Sequence, residues 1–110
     1  DSLSGGIGDD ILIGGAGNDV MNGGAGNDTF VFAAGFGNDV ISGFDANPTG
    51  GQDLLDISAL GITAANFAAS VLITDLGNDT LVAIGGDTIL LLGVNGVGAN
   101  TITQQDFILH

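Results

Sequence analysis

Asp1, Asp10, Asp19 and Asp28 recur at a constant spacing of nine residues, and a glycine-rich stretch precedes each of the last three. Carboxylates held at one place in successive tight reversals gather at one level when the reversals stack. A stack of anions calls for a cation. A hard divalent ion with six or more oxygen ligands suits carboxylates combined with backbone carbonyls from glycine-rich turns. The chain has almost no counter-charge of its own: its 13 acidic residues are all Asp, Lys and Arg are absent, and the formal net charge is −13. Turn propensity alone explains isolated Asp and Asn residues beside glycine. It does not explain a strict nine-residue period.

Other chemistries find little to work with. His110 is the only histidine and Cys is absent. Ser-His-Asp catalysis, thiol chemistry, Schiff bases and phosphate clamps are therefore excluded. Paired carboxylates can hydrolyse glycosides, but here the repeat dictates where the aspartates lie. Without Cys there is neither a disulfide framework nor a thiolate metal site. Without Lys or Arg the chain cannot neutralise phosphates, which excludes nucleic acid and disfavours anionic membranes. The apolar run Ile89-Leu90-Leu91-Leu92 is far too short to span a bilayer.

The elements that position the aspartates follow from the blocks themselves: GGIGDDILI (5–13), GGAGNDVMN (14–22) and GGAGNDTFV (23–31). Glycines permit the positive φ that such a reversal needs. The closing triplet is too short for an independent strand and must pair with equivalent triplets about 4.8 Å away. Alternation points the middle residue inward, which selects Leu3, Leu12, Met21, Phe30 and Ile41, all apolar. Asp1-Ser2-Leu3-Ser4 reads as the tail of an earlier block. Ala34–Ser42 reads as a degenerate copy displaced by a two-residue insertion.

The pattern Gly-Gly-x-Gly-x-Asp-x-U-x, with U large and apolar, resembles the calcium-binding nonapeptide of RTX proteins. The chain is thus similar to the C-terminal part of an RTX protein, a class of exported bacterial proteins. The resemblance implies a parallel β-roll in which two blocks make one turn. Asp1, Asp19 and Asp39 then share one edge, and Asp10 and Asp28 the other. It also implies a ligand set: the carboxylates of Asp1, Asp10, Asp19, Asp28 and Asp39, with the turn glycines Gly5, Gly6, Gly8, Gly14, Gly15, Gly17, Gly23, Gly24 and Gly26. Calcium is the expected ion, at about two to four per chain. Asp9 stands where the next two blocks carry Asn18 and Asn27, and reads as a solvated extra charge.

The period stops after Phe44. A turn-rich loop, Ala46-Asn47-Pro48-Thr49-Gly50-Gly51-Gln52, leads into Asp53-Leu54-Leu55-Asp56-Ile57-Ser58. That segment resembles the Asp-x-Ile-Asp-Leu-Ser sequence that follows the repeats in RTX proteases, lipases and alginate epimerases. Ligand roles for Asp45, Asp53, Asp56, Asp79 and Asp87 stay open. Residues 63–68 suggest a short helix with Thr63 as N-cap. Apolar runs at Val71–Thr74, Thr80–Ile84 and Thr88–Val94, bounded by Gly, Asn and Asp, read as strands joined by hairpin turns. The expected fold is all-β: a calcium-binding parallel β-roll over 1–44, then a β-rich cap over 45–110 with at most one short helix. The two parts are expected to pack as one unit. Of the outward positions, Ser2, Ser4, Val20, Asn22, Val40 and Ser42 read as solvated. Ile11, Ile13, Thr29 and Val31 read as a face covered by the cap or a partner.

The chain ends Gln105-Asp106-Phe107-Ile108-Leu109-His110. An acid followed by apolar residues resembles the uncleaved C-terminal signal of RTX proteases exported by type I secretion; it also fits a last edge strand. The expected function is a non-enzymatic calcium-binding module that folds on calcium binding outside the bacterial cell. It would support the secretion and folding of a larger exoprotein, with any catalysis in an upstream domain of the same polypeptide. The type I exporter would be a transient partner, and the folded chain a monomer. The alternative is a calcium-dependent binding module for a polysaccharide or cell surface, such as an alginate-epimerase accessory module or an adhesin segment.

Overall fold

The computed structural model of the chain describes residues 2–24, 26–44, 53–94, 102 and 106–109. Asp1, Asp45, the 46–52 loop, Gln105 and His110 lie outside the described residues.

Each nonapeptide folds as its pattern requires. The closing triplets form β1 (Ser2–Ser4), β2 (Ile11–Ile13), β3 (Val20–Asn22) and β4 (Thr29–Val31). The displaced copy forms β5 (Asn38–Ser42). Odd and even triplets go to opposite sheets, because a triplet this short gains hydrogen-bond partners only from the coil above or below. β1 pairs with β3 and β3 with β5, all parallel, and β2 pairs in parallel with β4. Leu12, Met21, Phe30 and Ile41 point between the sheets and are buried, while Leu3 is half-buried. The all-β parallel roll is thus observed.

The C-terminal residues extend both sheets. β6 (Leu54–Asp56) pairs in parallel with β4, with Leu55 opposite Phe30. β7 (Val71–Asp75), β8 (Thr80–Ile84) and β9 (Asp87–Leu91) form an antiparallel meander. Its last strand lies parallel against β5, with Leu91 opposite Ile41. β10 (Phe107–Ile108) adds in parallel to β6. The terminal acid-plus-apolar segment is therefore a last strand here, with Asp106 buried. The sheet orders are β1-β3-β5-β9-β8-β7 and β10-β6-β4-β2. One apolar cluster fills the space between them, reinforced by the ring pairs Phe30–Phe44, Phe32–Phe36 and Phe67–Phe107 at 6.0, 5.0 and 4.9 Å.

Two expectations need correction. The short helix α1 spans Phe67–Ser70 and its N-cap is Asn66, not Thr63. Asn66 Oδ1 accepts the Thr63 N–H at 2.7 Å, so residues 63–66 close a turn ahead of the helix. A separate 3-10 turn at Ser58–Leu60 ends on left-handed Gly61. The second correction concerns the outer face of β2. Ile11 and Ile13 are 72% and 64% exposed, so the cap does not cover them. The reason is topological: β6 and β10 lengthen that sheet in its own plane and do not fold across its outside. Thr29 and Val31, one coil inward, are half-buried; on the other sheet Ser2, Ser4, Val20 and Asn22 are exposed as expected, while Val40 and Ser42, flanked by β9, are half-buried.

Candidate metal centre

The aspartates form two columns, one along each rim. On the first, the Asp10 N–H donates to Asp28 Oδ1 at 3.0 Å, and the Asp28 N–H donates to Asp53 Oδ1 at 2.8 Å. On the second, the Asp19 N–H donates to Asp39 Oδ1 at 2.8 Å. Backbone bonds keep the same step: Thr29 N–H to Asp10 O, Val40 N–H to Asp19 O and Leu54 N–H to Asp28 O, at 2.8, 2.8 and 2.9 Å. The columns hold although the separations are 18, 20 and 25 residues. The two-residue insertion before Asp39 is absorbed in its turn, where Phe36 is buried against Phe32.

Asp28, Asp39 and Asp53 each spend one carboxylate oxygen on the preceding coil, and Asp10, Asp19 and Asp28 turn Oδ2 into their own reversals. The Oδ2 atoms of Asp10, Asp28 and Asp39 are buried and accept no hydrogen bond. Asp19, Asp28, Asp39 and Asp53 are each no more than 2% exposed. The first glycine of each block makes the space. A Cβ on Gly5 would stand 2.6 Å from Asp10 Oδ2, one on Gly14 2.6 Å from Asp19 Oδ2, and one on Gly23 in collision with Asp28 Oδ2. Carbonyls approach from the neighbouring coil: Gly6 O lies against Gly24, Gly8 O against Gly26 and Gly17 O against Gly37. Gly15 completes the equivalent turn on the second rim, with open space around its Cβ position.

Buried carboxylate oxygens without donors are costly unless a charge partner is supplied. Among the described residues no three or more acidic or imidazole side chains converge. The donor set is instead a pair of carboxylates with backbone carbonyls, which suits a hard, oxygen-seeking cation and not a softer metal. The residues present therefore fit calcium. Of the expected ligands, Asp10 and Asp28 are brought together on one rim and Asp19 and Asp39 on the other, with their glycine turns. Asp1 lies outside the described residues.

Some roles escaped the sequence reading. Asp9 is exposed but not idle: its Oδ1 accepts the Asn27 N–H at 2.8 Å, as Asn18 Oδ1 accepts that of Asn38 at 3.0 Å. Its equivalence to Asn18 and Asn27 was the available signal. Asp53 extends the first column, and the clue was Gly50-Gly51 shortly before an Asp followed by an apolar triplet. Asp56 accepts from the Ser58 N–H and hydroxyl, Asp75 from the Gly77 N–H, and Asp79 from the Gly93 N–H. The Asp56 and Asp75 bonds are local turn chemistry two residues long, whereas the Asp79 bond ties the β7–β8 turn to the residues that follow β9, 14 positions away.

Burial pushes the carboxyls of Asp28 and Asp39 above their ordinary 3.8. The hydrogen bonds from Asp10 and Asp19 pull them back, and nearby aspartate charges push them up again. A carboxyl raised in the folded state stabilises the fold below its unfolded value, and that contribution is lost as pH rises through the folded value. Metal-free protein should therefore gain β-structure as pH falls from neutrality towards 3.8. Protons and cations compete for the same oxygens, so the calcium midpoint should rise over the same interval. Circular dichroism in calcium-stripped and calcium-containing buffers measures both, and a metal-free signal that weakens on acidification contradicts the assignment.

Comparison with known proteins gives the same picture. A family profile described as the RTX calcium-binding nonapeptide repeat (4 copies) matches residues 1–30 and 31–47. No curated protein matches the chain significantly. Among solved structures, the R3 subunit of the mannuronan C5-epimerase AlgE6 from Azotobacter vinelandii is 29% identical with a TM-score of 0.67, covering 98% of this chain and 67% of that one. The C-terminal domain (RV) of MpAFP is 26% identical with a TM-score of 0.65, covering 98% and 92%. The extracellular lipase LipA of Serratia marcescens shares the fold at 23% identity and a TM-score of 0.65, and the chain spans 21% of its length.

Proposed function

Because residues 1–47 are RTX calcium-binding nonapeptide repeats, we propose that this chain is a calcium-dependent folding module of a larger secreted protein. The supporting observation is the set of buried carboxylate oxygens at Asp10, Asp28 and Asp39 that accept no hydrogen bond. Asp10 with Asp28, and Asp19 with Asp39, are the carboxylate ligands, joined by carbonyls of the glycine turns 5–8, 14–17 and 23–26. Calcium supplies the positive charge and oxygen coordination that 13 aspartates and no Lys or Arg leave unmet. Without it, repulsion along both rims opposes compaction. Folding coupled to metal binding is the expected result.

This coupling fits export. A low-calcium cytosol keeps the module unfolded for passage through a type I exporter engaged by the C-terminus, and the extracellular medium folds it. Residues 1–44 act as the roll and 45–110 as its cap, folding as one monomeric unit. Catalysis belongs to an upstream domain of the same polypeptide. Among the described residues no helix is long and apolar enough to cross a membrane.

A calcium titration followed by far-UV circular dichroism tests the reading. A cooperative gain of β-structure is expected with calcium and little with magnesium, whose strict octahedral shell fits such a site poorly. A fully structured protein in excess chelator overturns it. Likeness to the AlgE6 R3 module, at 29% identity, supports a second reading as an accessory binding module for a polysaccharide. The lack of Lys, Arg, Trp and Tyr weighs against an acidic glycan.

A further inference from the structure

We propose that Asn22 is a self-modification site whose chemistry calcium holds in check. In the metal-free chain the Asn22 amide closes on the Gly23 nitrogen, and the product cannot rebuild the ion sites. The inference rests on the calcium reading above and adds a time limit to it.

The chemistry begins with the residue pair. Asn22 is followed by Gly23, and glycine has no side chain to hinder attack by its backbone nitrogen. In an open chain that nitrogen attacks Asn22 Cγ. The N–Cγ bond forms, the Cγ–Nδ2 bond breaks, and ammonia leaves with the proton from the Gly23 nitrogen. Water then opens the succinimide ring. Attack at Cγ gives aspartate. Attack at the Asn22 main-chain carbonyl gives isoaspartate, in which the backbone runs through the former side chain. Nothing is oxidised or reduced, and water is the co-reactant. Asn18, Asn27 and Asn38 are each followed by Asp, whose side chain shields the nitrogen. The other triplets of the roll end in Ser4, Ile13, Val31 and Ser42, so Asn22 alone puts an amide in that place.

The folded roll blocks the attack. Asn22 ends β3 and is held on both sides, opposite Ser4 in β1 and Ser42 in β5. Its carbonyl accepts the Gly5 N–H at 2.9 Å. Its Oδ1 accepts the Gly24 N–H at 2.9 Å and lies 3.2 Å from where a Cβ on Gly43 would stand. The Asn22 side chain is exposed, but Gly23 is buried. Ring closure needs the Asn22 backbone to rotate and Cγ to swing onto the Gly23 nitrogen. That motion breaks the Gly24 bond and the strand pairing, so reaction proceeds through the open chain.

The damage falls where an ion site is built. Gly23 leaves the room that Asp28 Oδ2 fills. Asp28 Oδ1 receives the Asp10 N–H, and Phe30, two residues on, is fully buried. Isoaspartate adds an extra carbon to the backbone between β3 and this turn. The added length drives Gly23 against Asp28 and spoils the register between the two rims. A module that dwells without calcium is thereby retired, whereas one that folds promptly is preserved.

Timed incubation of the whole chain in calcium, magnesium or chelator, at equal ionic strength, tests the proposal. Peptide mapping by mass spectrometry measures conversion at position 22, and circular dichroism records the fold in each buffer. Conversion is expected to be at least about tenfold slower in calcium than in magnesium or chelator, because it tracks the open population. The species carrying isoaspartate at position 22, separated by chromatography, is expected not to regain β-structure at a calcium concentration that refolds the unmodified chain. Asn22→Gln keeps an amide but closes its larger ring far more slowly, so it should retain more refolding capacity than wild type after the same time in chelator. Asn95-Gly96, the second such pair in the sequence, lies outside the described residues, and that comparison separates its contribution. Should Asn22→Gln fail to fold, the wild-type measurements decide. Equal conversion in all three buffers by a chain that unfolds in chelator overturns the proposal alone, as does a modified species that refolds at the wild-type midpoint. A chain that stays structured in chelator overturns the calcium reading itself.

Discussion

Phe30→Ala is expected to raise the calcium concentration needed for half-maximal folding by roughly ten- to sixtyfold, if about two ions bind on folding. Phe30 is fully buried at the middle of β4, between Leu12 and Leu55 in register and 6.0 Å from the Phe44 ring. Truncating a buried Phe to Ala costs about 3–5 kcal/mol. Each bound ion returns about 1.4 kcal/mol per tenfold rise in free calcium when the unfolded chain binds none. Two ions therefore offset the lost packing over roughly one to two decades of concentration. Val20→Ala provides the control, since Val20 is half exposed on the outer face of β3. Surface changes of that kind fall within about 0.5 kcal/mol, less than a twofold shift. The measurement is a set of circular dichroism titrations against free calcium. A Phe30→Ala midpoint within twofold of wild type would show that the core and the ion sites are not linked.

That linkage follows from features the sequence displays openly. The nine-residue period places Asp, glycine and the inward apolar residue on a fixed lattice, so the two rims and the inward row Leu12, Met21, Phe30 and Ile41 could be read before any coordinates. What lay hidden depended on contacts that no period encodes. Asp53 joins the column at a separation of 25 residues where the regular step is 18, because the nine-residue period of the sequence stops after Phe44. The exposure of Ile11 and Ile13 depends on whether later strands extend a sheet or cross it, and local pattern is silent on that choice. Asp9 looked like surplus charge, since its partner is a backbone N–H one coil away. Helix α1 began late because the Asn66 side chain turned back to Thr63, a competition between turn and cap that propensity ranks poorly.

Gly24→Ala and Gly15→Ala isolate the contribution of the glycine turns, because both glycines have φ of +80° but different surroundings. Alanine in this left-handed region costs about 1–2 kcal/mol at either position. At Gly15 nothing lies within 4 Å of the added Cβ, so backbone strain is the whole effect. With about two ions bound, the calcium midpoint should rise roughly two- to fivefold. At Gly24 the same Cβ collides with the Gly6 carbonyl, with Gly6 C at 3.0 Å and Gly6 Cα at 3.2 Å. Backbone cannot step aside as a flexible side chain can, so the two coils must separate at the level of Asp10 and Asp28. The Gly6 oxygen is one of the proposed calcium ligands, and moving it weakens the ion site as well as the packing. Gly24→Ala is therefore expected to shift the midpoint by more than tenfold, with a shallower transition as one site uncouples from the others. Parallel titrations of the two variants give the comparison. Equal shifts would mean that both glycines serve only the chain reversal, and that the Gly6 carbonyl has no part in holding the cation.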